Sequence, residues 1–151
     1  MPVTYRPLTR LDIPALAAAF GDWILRLREL HFEAGSFTIG AFAGDAPVGF
    51  ISVYPKKLSG LNRMEAYVDV IEVAKGYRRQ GIATAMLAMS RDWARVRRYR
   101  RIRAWSTADK TQAIAMWRAL GFRLRPVYAG KPGRRRLVGY YVTKRLKGDH
   151  P

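Results

Sequence analysis

The period of the apolar positions changes several times along the chain, and each change marks an element. Val3 to Leu8 has the extended character of a first strand. Thr9-Arg10-Leu11-Asp12 then supplies capping oxygens ahead of Pro14, placed early in a turn where a missing N–H costs little. Ile13, Leu16, Phe20, Trp23, Ile24, Leu27 and Leu30 recur at threes and fours. That spacing predicts one or two helices between Asp12 and about Glu33, with a break near Gly21-Asp22. Ser36 to Ala43 and Val48 to Tyr54 read as strands joined by the turn residues Gly44-Asp45-Ala46-Pro47.

Ala66 to Val73 is a further strand, followed by a glycine-containing loop from Ala74 to Gln80. Ile82, Ala85, Met86, Met89, Trp93 and Val96 then form one stripe of a helix. Arg101 to Trp105 alternates as a strand, and Thr111 to Leu120 is helical with Gly121 in the position that ends a helix. Phe122 to Val127 and Leu137 to Thr143 close the chain as strands. The order is strand, two helices, three strands, helix, strand, helix, two strands. This is a mixed α/β pattern, and with no repeat, low-complexity tract or long linker, residues 1–151 are expected to form a single domain.

Composition narrows the chemistry. With 49% hydrophobic residues, the chain can bury a core, which argues against disorder. It contains no cysteine, so disulfide scaffolds, thiolate zinc sites and a cysteine nucleophile are excluded, and the expected compartment is cytoplasmic. His31 and His150 are the sole imidazoles and lie far apart in sequence, so no metal site is expected. No run reaches the ~20 apolar residues of a membrane span, and Ile13 to Phe20 reads as an amphipathic helix rather than a signal peptide. The net charge is +17, and it is lopsided: residues 1–74 sum to −1 and residues 75–151 to +18. Blocks such as Arg95 to Arg101 and Arg134-Arg135-Arg136 fit either a nucleic-acid or other anionic partner, or a solvated surface that keeps the protein soluble.

The chemistry-bearing segment is Val70 to Leu87, a strand, a basic loop and a helix start. Free N–H groups and the positive dipole end of a helix N-terminus stabilise phosphate oxygens. Gly76 and Gly81 allow close backbone approach, and Lys75, Arg78 and Arg79 add charge. The Gly76–Gly81 spacing matches a nucleotide phosphate loop, but Ile82-Ala83 replaces the Lys-Ser/Thr that such a loop requires. Arg78-Arg79-Gln80-Gly81-Ile82-Ala83 instead resembles the acetyl-CoA motif of the GCN5-related N-acetyltransferases (GNAT), Arg/Gln-x-x-Gly-x-Gly/Ala. The order of elements agrees with that family over essentially all of the chain. Ala113 to Phe122 and Tyr140 to Leu146 resemble its last helix and closing strand.

The resemblance implies a GNAT fold: a mixed, mostly antiparallel sheet of six to seven strands, flanked by about four helices and splayed between its fourth and fifth strands. It implies acetyl-CoA as cofactor, with pantetheine along Ile71, Glu72 and Val73 and pyrophosphate at the N–H groups of Arg79, Gln80, Gly81, Ile82, Ala83 and Thr84, with Arg78 alongside. Lys110 and Trp117 fall at the family's cofactor-side positions in the last helix, where Asn and Tyr are frequent. Acyl transfer to an amine needs a base, an oxyanion donor and a proton for the thiolate. Asp69 is the first candidate base and Glu72 the second, with Glu65 on the same strand, and a backbone N–H near Val73 would meet the oxyanion. Either carboxylate can equally be the partner of a neighbouring arginine. Strand alternation puts Asp69 on one face with Tyr67, Ile71 and Val73. Indole is no proton donor for a thiolate, so with Trp117 in the usual tyrosine position the role passes to Tyr140, Tyr128, Tyr141 or solvent.

The expected activity is therefore N-acetyl transfer from acetyl-CoA to a primary amine of a small molecule, peptide or protein, by direct attack in a ternary complex. The acceptor would be held by Phe20 to Ser36 and Tyr128 to Arg136, with His31 either a substrate contact or a buried structural histidine. The cationic half disfavours polyamines and favours acceptors on an anionic body. A homodimer follows from the resemblance alone. Two other readings stay open: a catalytically silent acetyl-CoA-binding module, and a basic protein associated with nucleic acid or the ribosome.

Overall fold

The computed structural model describes residues 2–27, 29–57 and 63–146, so His150 lies outside the described residues. Seven strands form one sheet: β1 (Val3–Pro7), β2 (Phe37–Ala43), β3 (Ala46–Lys57), β4 (Met64–Val73), β5 (Arg101–Thr107), β6 (Arg123–Ala129) and β7 (Arg136–Arg145). Their spatial order is β1-β2-β3-β4-β5-β7-β6. Every neighbouring pair is antiparallel except β4 and β5, which run parallel. The helices are α1 (Ile13–Phe20), α2 (Ile82–Val96) and α3 (Thr111–Ala119).

The first turn of chain after β1 follows the expected capping chemistry. Thr9 and Asp12 form a reciprocal capping box, and Arg6 holds the Asp12 carboxylate at 2.9 Å, which keeps that carboxyl below its ordinary range. The helical period beyond Gly21 is realised differently from the expectation of a second helix. Gly21 adopts φ 113°, and the chain continues as short 3₁₀ turns at Asp22–Arg26 and Glu29–Phe32. The period is satisfied in three-residue steps, which still buries Ile24 but leaves three α-helices among the described residues where about four were expected.

Two apolar layers cover the sheet. Leu8, Leu16, Ile24, Phe42 and Phe50 pack on the α1 face, and a larger cluster that includes Ile51, Val53, Ile82, Met86, Ile102 and Trp117 fills the α2 and α3 face. Of the α2 stripe read from sequence, Ile82 and Met86 are buried and Met89 and Trp93 pack against the core, but Val96 at the helix end is exposed, and Leu87, Ser90 and Ala94, outside that stripe, are buried as well. Phe50 is fully buried, with the Phe20 ring at 5.4 Å and Trp23 stacked at 6.1 Å. Phe50→Ala is expected to cost about 3–5 kcal/mol, read as a lower midpoint in urea denaturation.

Candidate active site

Two irregularities in β4 create the site. Its pairing with β5 covers Ala66↔Ile102, Tyr67↔Arg103 and Val68↔Ala104 and goes no further, although both strands continue. Beyond those rungs the β5-facing backbone of β4, from Asp69 to Val73, has no strand beside it. The second irregularity is on the β3 side, where Val68 faces Val53 and Val70 faces Ser52. Asp69 is the extra residue of a β-bulge, so the strict alternation expected from sequence is broken there.

The bulge re-aims the strand. Cross-strand partners share a face, so Tyr67 lies with Tyr54, Val70 with Ser52 and Glu72 with Phe50 on the α1 side. Ile71 and Val73 pack into the opposite cluster. The expectation that Asp69 shares a face with Ile71 and Val73 is therefore corrected: one inserted residue shifts the alternation, and Asp69 remains with Tyr67 alone of that set.

Around Asp69 the 3₁₀ turn Glu29–Phe32 and strands β2 to β4 assemble a polar network. Asp69 Oδ2 lies 3.3 Å from His31 Nε2, His31 Nδ1 lies 2.6 Å from Ser52 Oγ, and Ser52 Oγ lies 2.9 Å from Thr38 Oγ1. Thr38 Oγ1 donates to the His31 carbonyl. The Asp69 side chain is one-third exposed while those of His31, Ser52 and Thr38 are buried, so Asp69 is the most exposed member of this network. Tyr67 lies alongside, its ring 5.7 Å from Tyr54 and under Lys56 Nζ at 4.3 Å. Burial raises its phenol above the ordinary value, and Asp69 and Tyr141 add to the shift, so Tyr67 keeps its proton near neutrality.

At the open end of the splay the loop after β4 behaves as its sequence implies. Gly81 and Arg79 take positive φ values of 80° and 64°, and Gly81 caps α2 without any side-chain hydrogen bond to the helix. No acid lies in the first turn of α2. A Cβ on Gly81 would meet no atom within 4 Å, so this helix end is open. Arg78 Nε donates to the Val73 carbonyl at 3.1 Å and Gln80 Nε2 to Gly76 at 3.4 Å, which fold the loop back against the strand end. Free N–H groups of Ile82, Ala83 and Thr84, an open approach and two arginines make an anion seat.

The other expected residues fall as follows. Glu72 is half-buried near Lys110 and Arg78, while Lys110 is exposed at the α3 N-cap. Glu65 is buried below the last β4–β5 rungs, 3.5 Å from Arg103 and away from the opening. Trp117 is only 3% exposed, edge-on to Phe122 at 4.8 Å, so the structure gives it to the core. Tyr140 packs against the α2-side core under Arg118, on the face opposite Asp69. Tyr141 is on the Asp69 face, paired with Trp105 at 5.3 Å, and Tyr128 is exposed on β6. Sequence reasoning treated His31 by itself; its pairing with Asp69 spans 38 positions and has no local signature.

Comparison with known proteins agrees with this architecture. A family model described as the acetyltransferase (GNAT) family matches residues 6–122. No curated protein matches the chain by sequence. Among solved structures, Arabidopsis thaliana NAA60 in complex with a bisubstrate analogue aligns with a TM-score of 0.75 at 16% identity, over 98% of this chain and 100% of that one. Arabidopsis thaliana Naa50 with the bisubstrate analogue CoA-Ac-MVNAL aligns at 0.71 and 21% identity, over 95% and 99%. The ribosomal-protein-S18-alanine N-acetyltransferase from Escherichia coli aligns at 0.68 and 18%, over 99% of both chains.

Burial holds the Glu72 carboxyl above the ordinary glutamate range, with Lys110 and then Arg78 pulling it partly back. A carboxyl harder to ionise in the folded than in the unfolded chain costs stability above that range and nothing below it. Glu72→Gln is expected to raise the unfolding midpoint of the free protein near neutral pH, with the gain vanishing in acid; thermal melts across pH check it.

Proposed function

The chain belongs to the GNAT acetyltransferase family, and from that premise we propose that it moves the acetyl group of acetyl-CoA to a primary amine by direct attack in a ternary complex. The observation that carries this reading is the parting of β4 and β5 beside an uncapped helix N-terminus. The residues present fit the cofactor. N–H groups of Ile82, Ala83 and Thr84, with Arg78 and Arg79, would hold the pyrophosphate, and the backbone along Ile71, Glu72 and Val73, unpaired with β5 and with the Val73 carbonyl accepting from Arg78, would hydrogen-bond pantetheine. When bound, acetyl-CoA supplies an activated thioester.

Asp69 is the residue proposed to take the proton of the attacking amine. It stands at the apex of the splay, partly exposed, whereas Glu72 lies three residues or about 10 Å along the strand toward the anion seat. Glu72 is thereby assigned to balancing Lys110 and Arg78. Tyr67 and Tyr141 line the same side as Asp69 and are better placed than Tyr140 to give a proton.

The acceptor side is arginine-rich. Trp105 and Tyr141 are exposed on the Asp69 face, with Arg125 5.3 Å over the Tyr141 ring. Arg123 and Arg145 extend from the same face of β6 and β7. An amine carried on an anionic body, such as an acidic peptide or a protein bound to nucleic acid, suits this surface. A second copy across a two-fold axis would set the arginines against one another, which disfavours a homodimer through this face.

Calorimetry with acetyl-CoA, combined with thiol-release assays over an amine panel, tests the reading. Cofactor binding without turnover on any acceptor makes the chain a silent binding module. Steeply salt-dependent nucleic-acid binding with no acetyl-CoA affinity overturns both. Thr84→Glu places a carboxylate in the exposed first turn of α2; it is expected to weaken acetyl-CoA binding at least about tenfold while leaving the melting temperature unchanged or raised. Asp69→Asn is expected to lower kcat about 100-fold or more with acetyl-CoA affinity unchanged by calorimetry.

A further inference from the structure

We infer that His31 is the positioning residue for Asp69, holding one proton in common with it, and that Ser52 and Thr38 fix the imidazole tautomer that makes this sharing possible. The inference rests on the acetyltransferase reading above for its functional sense, but its geometry stands independently of turnover.

The direction of each hydrogen bond follows by elimination. A carbonyl only accepts, so the Thr38 hydroxyl spends its single proton on the His31 carbonyl. Thr38 Oγ1 therefore accepts from Ser52 Oγ, which in turn has spent its own proton. Ser52 Oγ is left to accept, and His31 Nδ1 must carry the hydrogen that it receives across 2.6 Å. Nε2 is then the one ring position whose protonation can change. It faces Asp69 Oδ2 at 3.3 Å. A bare Nε2 lone pair against a carboxylate repels, whereas one proton between them produces an imidazolium–carboxylate pair. The ring is buried to 3% exposure and Tyr54 meets it edge-on at 5.8 Å, so a charge on it is tolerable through that pairing.

The chemical consequence concerns basicity. A lone carboxylate is a weak proton acceptor near neutral pH, while an imidazole is well matched to it. With neutral His31 behind it, Asp69 becomes the exposed end of a two-group base. The N–H bond of the attacking amine would break, its electron pair staying on nitrogen for the new C–N bond while the thioester C–S bond breaks and its pair leaves on the CoA sulfur as thiolate, and the amine proton would pass to Asp69 and rest between Oδ2 and Nε2. Release of that proton to solvent resets the pair. With 2% of its side chain exposed, against one-third for Asp69, His31 acts through Asp69. Other titratable groups near it among the described residues are Tyr54 and Tyr67, with Lys56 over the latter ring, and Glu33 and Arg97, which line the same cleft.

The test is two-bond ¹H–¹⁵N correlation NMR on His-labelled full-length protein, in which His31 is distinguished from His150 by His150→Gln. The proposal expects Nδ1 to remain protonated across the titration while Nε2 changes state, with a midpoint that falls by about one pH unit or more in Asp69→Asn. Ser52→Ala is expected to release the ring into a mixture of tautomers. A ring protonated at Nε2 when neutral, or a midpoint indifferent to Asp69→Asn, overturns the proposal whether or not the protein turns over. In an active preparation the acidic limb of kcat/KM should share the NMR midpoint, and His31→Gln should lower kcat about tenfold or more, move that limb down and leave acetyl-CoA affinity intact. A limb that stays in place in His31→Gln overturns the proposal. An NMR signature as expected with no turnover on any amine leaves the pairing established and sinks the acetyltransferase reading instead.

Discussion

A single extra residue in β4 organises the rest of the site. An antiparallel ladder permits one side chain per face per two residues, and Asp69 breaks that count by standing opposite nothing on β3. The backbone on its C-terminal side is thereby turned, so that Val70 and Glu72 join the α1 face and Ile71 and Val73 go to the α2 core. The parallel ladder to β5 stops at the rung just before it, at Val68↔Ala104. Pairing is interrupted at Asp69 on the β3 side, where it resumes at Val70, and ends before Asp69 on the β5 side, so the rest of β4 keeps one ladder and turns its other edge, where the Val73 carbonyl accepts from Arg78, away from any β5 rung, beside a carboxylate that is held by its neighbours. Unpaired backbone is costly when buried, so it persists where solvent or a ligand can satisfy it.

The electrostatics follow the same line. The basic excess begins at Lys75, immediately beyond β4, while the strand itself carries Glu65, Asp69 and Glu72. Each acid meets a different counterpart: Glu65 is matched by Arg103, Asp69 by His31, and Glu72 by Lys110 and Arg78. Only the Asp69 partnership contains a group able to gain or lose a proton near neutrality. The arginine pairing is suited to holding charge and the histidine pairing to moving it, and on this difference rests the proposal that Asp69, of three carboxylates that look alike in sequence, has the chemical role.

Much of this is legible in the sequence. The succession of strands along the chain, the capping chemistry at Thr9 and Asp12, Ile82 and Met86 of the α2 stripe and the glycine loop are local patterns, and local patterns report local structure. The Gly121 helix stop was legible for the same reason, with φ 82° at that position. The bulge was not, because period-2 counting has no term for an inserted residue. The 3₁₀ turns after Gly21 were not, because apolar residues at threes fit both an α-helix and a tighter coil. His31 was hardest: its meaning depends on Ser52, Thr38 and Asp69, which come from three different strands and are brought together only by the sheet register.

The uneven charge takes on a different meaning once the faces are separated. The anion seat at α2 involves Arg78 and Arg79, and Arg103 is committed to Glu65. Arg123, Arg125 and Arg145 remain on the Asp69 side of the sheet, beside the exposed Trp105 and Tyr141. A cationic field there raises the local concentration of anionic molecules and acts over roughly a Debye length of 8–10 Å, while Asp69 and His31 act over single hydrogen bonds. Under the proposed reading, a long-range field of one sign would gather the acceptor body, and a short-range acid of the opposite sign would receive its amine. The two do not cancel because their ranges differ, and this is the physical basis on which the proposed acceptor is an amine carried on an anionic molecule.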